Sequence, residues 1–109
     1  MTDANHYHFV LYRGTEIVSV AHVELLNEKE AALRSLATDE PHKNKGYGRE
    51  AMALLEKLVK SKGRSVIKMH AAGGAEHFYR KLGYKEMEFN DPSISKDIID
   101  LGKIFSSQP

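Results

Sequence analysis

The stretch His42-Lys43-Asn44-Lys45-Gly46-Tyr47-Gly48-Arg49-Glu50 sets two glycines one residue apart inside a basic run that leads straight into an amphipathic pattern. Glycine lets backbone N–H groups turn toward a ligand with no Cβ in the way. A helix start adds N–H donors that have no intrahelical acceptor, together with a positive partial charge. Such a loop suits a phosphate or pyrophosphate, although a Gly-x-Gly before a helix is also an ordinary form of tight turn. Neither familiar nucleotide signature fits, because no Gly-Lys-Ser/Thr follows and the third glycine of a dinucleotide fingerprint is missing.

Downstream, Ala51, Met52, Leu55, Leu58 and Val59 recur at helical spacing over 47–62, with Glu50, Glu56, Lys57 and Lys60 left for solvent and Gly63 as the stop. Upstream lie three strands. Tyr7 to Tyr12 is the first, and Arg13-Gly14-Thr15-Glu16 is a hairpin turn. Ile17 to Leu26 is the second, with Ile17, Ser19, Ala21 and Val23 on one face. In the third, Ala31, Leu33, Ser35 and Ala37 alternate with Ala32, Arg34, Leu36 and Thr38 up to the break at Asp39-Glu40-Pro41.

Beyond the helix, Ser65 to Ala71 reads as a strand running into Gly73-Gly74. A second helix over Ala75 to Leu82 carries Ala75, Phe78, Tyr79 and Leu82 on one stripe, and Tyr84 to Phe89 resumes strand character. The tail residues Ile98, Ile99, Leu101, Ile104 and Phe105 fit a short helix or a final strand, and the strand, with Ile99, Leu101 and Lys103 on one side, is the preferred reading. The order β-β-β-α-β-α-β-(β) defines an α/β (α+β) fold: a mixed, mostly antiparallel twisted sheet with two main helices.

A chain of 109 residues is expected to form one domain, small for an enzyme that must also wall off a substrate. Sixteen Lys+Arg against fifteen Asp+Glu leave a net charge of +1, so nothing indicates bulk attraction to nucleic acid or membrane. The absence of cysteine excludes disulfides, thiolate metal sites and cysteine nucleophiles, and agrees with a reducing compartment. No run approaches a membrane span, so a cytoplasmic location is expected. The six histidines show no ligand spacing with carboxylates, and no metal is expected.

Two segments taken together resemble the GNAT superfamily of acyl-coenzyme A-dependent N-acetyltransferases. Leu36 to Gly48 is similar to that family's strand, linker and pyrophosphate loop with its Arg/Gln-x-x-Gly-x-Gly/Ala pattern. Ala75-Glu76-His77-Phe78-Tyr79-Arg80-Lys81-Leu82-Gly83-Tyr84 resembles the family's Ala-x-x-Phe-Tyr-x-Lys-Leu-Gly-Phe helix and following strand. The resemblance implies that backbone N–H groups of Lys43, Asn44, Lys45, Gly46, Tyr47, Gly48 and Arg49 hold the pyrophosphate of acetyl-coenzyme A. It also implies that backbone groups of Leu36, Ala37 and Thr38 hold the pantetheine arm where this strand splays from its neighbour. Phe78 is expected to belong to the cofactor set. Tyr79 is implied as the general acid that protonates the leaving thiolate.

The chain departs from the family pattern in four places. Lys43 stands where Arg or Gln is usual, keeping the charge but losing the planar fork. Ala32 occupies the position of the usual catalytic carboxylate, which leaves Glu24, Glu30 and His70 as candidates for the base. Ala72 replaces a common Asn or Gln. The usual first strand and two helices are missing ahead of Tyr7, so the acceptor side is expected to be open and a homodimer is expected. The resemblance implies a small-molecule or protein amine as the acceptor, attacking directly in a ternary complex. The rival readings are a coenzyme-binding module that acetylates nothing and, less supported, a nucleic-acid-binding domain using the 42–49 basic run.

Overall fold

The computed structural model describes residues 5–38, 45–90 and 97–105. Among these residues six strands form one sheet: β1 (His6–Arg13), β2 (Glu16–Leu25), β3 (Glu30–Thr38), β4 (Val66–Ala72), β5 (Lys85–Glu86) and β6 (Ile98–Ile104). Helix α1 (Tyr47–Ser61) joins β3 to β4, and a 3-10 turn at Gly73–Ala75 leads into the short helix α2 (Glu76–Lys81). The spatial order is β1-β2-β3-β4-β6-β5, antiparallel except for the β3–β4 pair. The mixed α/β architecture and the strand character of the tail agree with the sequence reading.

The core lies between the sheet and both helices. Met52, Leu55 and Val59 of α1 and Tyr79 of α2 join Val23, Ala31, Leu33, Ile67, Met69 and Leu101 in one buried cluster. These are the periodic positions of α1 and alternate positions of the strands, and full burial of each large side chain contributes about 1.5–3 kcal/mol. Tyr84 donates a hydrogen bond to Glu56 Oε2 (2.7 Å), and Lys103 Nζ donates to both Glu56 oxygens (3.3 Å each) and to the Leu82 carbonyl (2.8 Å). This polar knot ties α1, the end of α2 and β6 together.

Two bulges correct the expected faces. Leu11 pairs with Ser19 and Tyr12 with Ile17, so Val18 is an extra residue; Val18 and Ser19 are both buried while Ile17 turns out, 46% exposed. His22 pairs with Ser35 and Val23 with Leu33, so Arg34 is an extra residue in β3. The pleat therefore reverses at Arg34, and Leu36 joins Leu33 against the core where simple alternation put Ser35. The expected strand over Tyr84 to Phe89 shrinks to Lys85–Glu86. Its ladder ends because the Phe89 N–H donates to the side chain of Asp100 (3.1 Å) instead of a strand carbonyl.

Candidate active site

The bulge at Arg34 also opens the sheet. β3 and β4 pair in parallel from Glu30↔Val66 to Leu33↔Met69, and no further pair forms although β3 continues to Thr38 and β4 to Ala72. The two parallel strands thus form a fork whose apex lies just past Leu33 and Met69. On its other side, the Leu36 to Thr38 arm stays in register with β2, and the buried Ser19 hydroxyl holds it by donating to the Ala37 carbonyl (3.0 Å) and meeting Thr38 Oγ1 (3.2 Å).

On the helix side, the fork opens into a groove of about 900 Å³. Leu36 and Thr38 line one wall; Gly46, Tyr47, Gly48 and Arg49 line the second; Ala75, Phe78, Tyr79, Lys81 and Leu82 line the third. The groove therefore brings together most of the residues that the two sequence segments nominate. Lys43 and Asn44 lie outside the described residues.

Gly46 caps α1 in the left-handed conformation (φ 84°), and among the described residues no side chain caps this helix start. The first helical bond runs from the Glu50 N–H to the Gly46 carbonyl (3.0 Å), so the N–H groups ahead of it sit where an anion would meet them. Arg13 pairs with Glu50 and lies 5.0 Å from the Tyr47 ring centroid, which fixes the helix start against the end of β1. A Cβ on Gly48 would lie 3.3 Å from Phe78 Cζ and 3.7 Å from Thr38 Oγ1. The missing side chain is thus space belonging to the groove. Arg49 and Lys81 add positive charge to its walls.

Tyr79 sits on the inner stripe of α2, 7% exposed, with Phe78 edge-on at 5.0 Å and Tyr84 at 6.0 Å between ring centroids. Burial pushes its phenol up to about 12. The hydroxyl therefore carries its proton at neutral pH and remains a donor to a more basic partner.

The opposite face of the sheet carries the base candidates. Ala32 is fully buried and offers no ionisable group. Glu24 Oε1 accepts a hydrogen bond from Arg34 Nε (2.9 Å) and lies 2.8 Å from Nη2 of the same guanidinium, which also lies 5.8 Å from the Phe89 ring centroid. Glu30 is paired with Lys68 (2.8 Å); that bond and one from Asn27 hold it below the ordinary carboxylate range, which weakens it as a base. His70 is the first residue of β4 beyond the apex. Its Nδ1 lies 2.7 Å from Asp100 Oδ1 and its ring stacks on Phe89 at 4.6 Å. The sequence does not single out Asp100. The alternation that places Ile99, Leu101 and Lys103 on one side of β6 implies Asp100 on the other, but the pairing of β6 with β4 has no local signal.

The same face carries His6, His8 and His22, where burial and the two neighbouring imidazoles lower His22. Among the described residues no group of three or more His, Asp or Glu is arranged to hold a metal ion, and no helix is long and apolar enough to cross a membrane.

A sheet split between two parallel strands, with a glycine-led helix start and a buried tyrosine facing the split, is the architecture of the coenzyme A-dependent acetyltransferases. Residues 1–84 match the sequence pattern of the Acetyltransferase (GNAT) family, and the chain belongs to that family. It is 28% identical over 89 residues to Bacillus subtilis (strain 168) YyaT, an uncharacterized protein, covering 80% of this chain and 60% of that relative's length. The fold superposes on the ribosomal-protein-S18-alanine N-acetyltransferase of Escherichia coli with a TM-score of 0.81 at 18% identity, covering 99% of this chain and 74% of the other. It also superposes on the PaiA N-acetyltransferase of Thermoplasma acidophilum, solved in complex with coenzyme A, with a TM-score of 0.81 at 15% identity, covering 93% and 62%.

Proposed function

We propose that this chain transfers an acetyl group from acetyl-coenzyme A to a primary amine, with Tyr79 as general acid. The observation that carries the reading is the single groove joining the Leu36–Thr38 arm of the fork, the α1 start and Tyr79. Backbone N–H groups of 45–49 would hold the pyrophosphate, and Gly48 leaves the room it needs. The backbone edge of Leu36, Ala37 and Thr38, released from β4, would bond the amides of the pantetheine arm as a strand would. The arm then points down the fork toward its apex.

In this arrangement the chain's residues do little covalent work. They hold the thioester in place and exclude water through the Leu36, Phe78 and Leu82 walls, and Tyr79 gives its proton to the departing sulfur. A phenol near 12 is a weak acid in the ground state and becomes an effective donor only as thiolate charge develops beside it.

A second reading, a coenzyme-binding module without transfer activity, is favoured by the fully buried Ala32 and by the ion pairs that occupy Glu24 and Glu30. Free thiol decides between them. The transfer reading expects thiol release from acetyl-coenzyme A in the presence of a panel of amines and peptides, falling about 10²–10⁴-fold in Tyr79→Phe. Cofactor binding with no thiol release above that of Tyr79→Phe refutes it.

A further inference from the structure

We propose that the outer edge of β1 is an interface for a second copy of this chain, the two β1 strands pairing antiparallel about a two-fold axis at Val10 so that one sheet continues across both copies. The Leu25 N–H donates to the Asn5 carbonyl (2.7 Å), so Asn5 and Leu25 form a hydrogen-bonded pair. The register from His6↔Glu24 to Leu11↔Ser19 is unbroken and bonded pairs alternate along it, so Tyr7, Phe9 and Leu11 bond to β2. The backbone groups of His8, Val10 and Tyr12 therefore point away from β2, and among the described residues no strand lies beyond them. The Tyr12 carbonyl accepts a bond from the Arg13 guanidinium (2.8 Å) and keeps a second lone pair.

The two edges of the sheet are built differently. At the far edge, β5 consists of Lys85 and Glu86, both exposed, a short charged strand of the kind that resists further pairing. β1 has eight residues, and from His6 to Tyr12 it carries neither proline nor Lys, Arg, Asp or Glu. The extra residue of the β1–β2 bulge lies in β2, so β1 itself stays regular. Apolar side chains flank the edge on both faces: Val10 (46% exposed) and Tyr12 (54%) away from the helices, and Phe9, Leu11 and the overhanging Leu54 of α1 (46%) on the helix side. An occupant of this edge must be an extended strand with apolar side chains on both faces.

β1 itself meets that description. Pairing about Val10 sets Val10 of one copy against Val10 of the other, His8 against Tyr12, Phe9 against Leu11 and Tyr7 against Arg13, with each Val10–Val10 and His8–Tyr12 pair exchanging two backbone bonds. Charge selects this register. α1 runs beside β1, with Glu50 bound to Arg13 at one end and Lys62 Nζ 5.4 Å from the Tyr7 ring centroid at the other. Setting Arg13 of one copy beside Tyr7 of the other brings the Glu50 carboxylate toward the Lys62 ammonium at each end of the seam. Phe9 and Leu11 meet their counterparts beneath the two Leu54 side chains. The two-fold axis stands perpendicular to the sheet, which keeps both grooves on one side. The fork between β3 and β4 lies two strands in from the seam, so pairing leaves it open.

Nothing in this seam depends on acetyl transfer, and sedimentation equilibrium of the full chain across a dilution series tests it. The wild type is expected to weigh twice the chain mass and to dissociate on dilution. A chain that stays monomeric at every concentration, including one that takes up an extended peptide instead, overturns the proposal. Val10→Pro removes an outward N–H that β2 does not use, which an edge strand tolerates, and is expected to give a monomer with the wild-type circular dichroism spectrum; a folded Val10→Pro dimer overturns the edge assignment. If Val10→Pro does not fold, Leu54→Glu decides: two like charges over the seam are expected to shift dissociation at least about tenfold toward monomer, and an unshifted dimer overturns the proposal. Oxidation reads the register, because the chain has no cysteine of its own. Val10→Cys is expected to cross-link into a covalent dimer, since the Cα atoms of a bonded antiparallel pair lie about 5.5 Å apart, within the span of a disulfide. Faster cross-linking of Phe9→Cys or Leu11→Cys, the residues central to the neighbouring registers, overturns the axis at Val10.

Discussion

Replacing Gly48 with leucine tests the cofactor site at the point where the structure leaves least freedom. The first atom added, a Cβ, arrives 3.3 Å from Phe78 Cζ, 3.5 Å from Cε1 and 3.7 Å from Thr38 Oγ1. That is a few tenths of an ångström inside an ordinary carbon contact, and a small rotation of Phe78 absorbs it. Gly48 lies in the first turn of α1, where exchanging glycine for a better helix former recovers up to about 1 kcal/mol. Fold stability is therefore expected to change little. The remaining three carbons have nowhere to go but the groove between the helix start and Phe78, where a pyrophosphate would sit. Hydrogen bonds to a charged group are worth about 1.5–3 kcal/mol each, so losing two costs about 3–6 kcal/mol, a weakening of roughly 10²–10⁴-fold at 1.4 kcal/mol per decade. Calorimetric titration with coenzyme A measures the affinity, and circular dichroism with thermal melting verifies the fold. A folded Gly48→Leu protein that binds with wild-type affinity refutes the placement of the pyrophosphate.

Other consequences concern stability. Glu56→Ala leaves the half-buried Lys103 ammonium and the buried Tyr84 hydroxyl without their shared acceptor, a loss of about 1.5–3 kcal/mol that urea unfolding measures; no change would show that the knot contributes nothing. Gly46→Ala forces a side chain into φ 84° and is expected to cost about 1–2 kcal/mol, with Gly46→Asn costing less; equal costs for Ala and Asn would contradict the strain argument. Asp100 and Glu30 are both held below their ordinary range by hydrogen bonds, from His70 and Lys68 respectively. Their contribution is complete above the unfolded-state carboxylate values near 4 and is lost as pH falls further through the folded ones. Unfolding free energy followed below about pH 4 should therefore fall less steeply in Asp100→Asn than in the wild type.

What could be read from the residues alone was local. The glycine pair before an amphipathic helix and the Phe78–Tyr79 stripe are contiguous patterns, and the groove assembles them. The tail strand formed because Ile99, Leu101 and Lys103 alternate, and β6 presents them on one side. The fork was a different matter. Its strand was placed, but simple alternation gave Leu36 and Thr38 the wrong face, because a single extra residue at Arg34 reverses the pleat and no residue type marks that position. The His70–Asp100 contact spans thirty residues and depends on β6 entering the sheet between β4 and β5. Strand neighbours chosen by tertiary packing leave no trace in local periodicity. Glu24 and Glu30 were legible as carboxylates on the right strands, yet only the structure reveals the cations that hold them.

The central claim is that the α1 start and the released arm of β3 together hold coenzyme A. An amide NMR titration of the isotope-labelled protein with coenzyme A tests it most directly. The largest shifts are expected on Tyr47 to Glu50 and on Leu36 to Thr38, while Ser61 to Gly63 at the far end of α1 stays still. Saturating binding whose shifts cluster away from both segments, or no shift at millimolar coenzyme A, would contradict it.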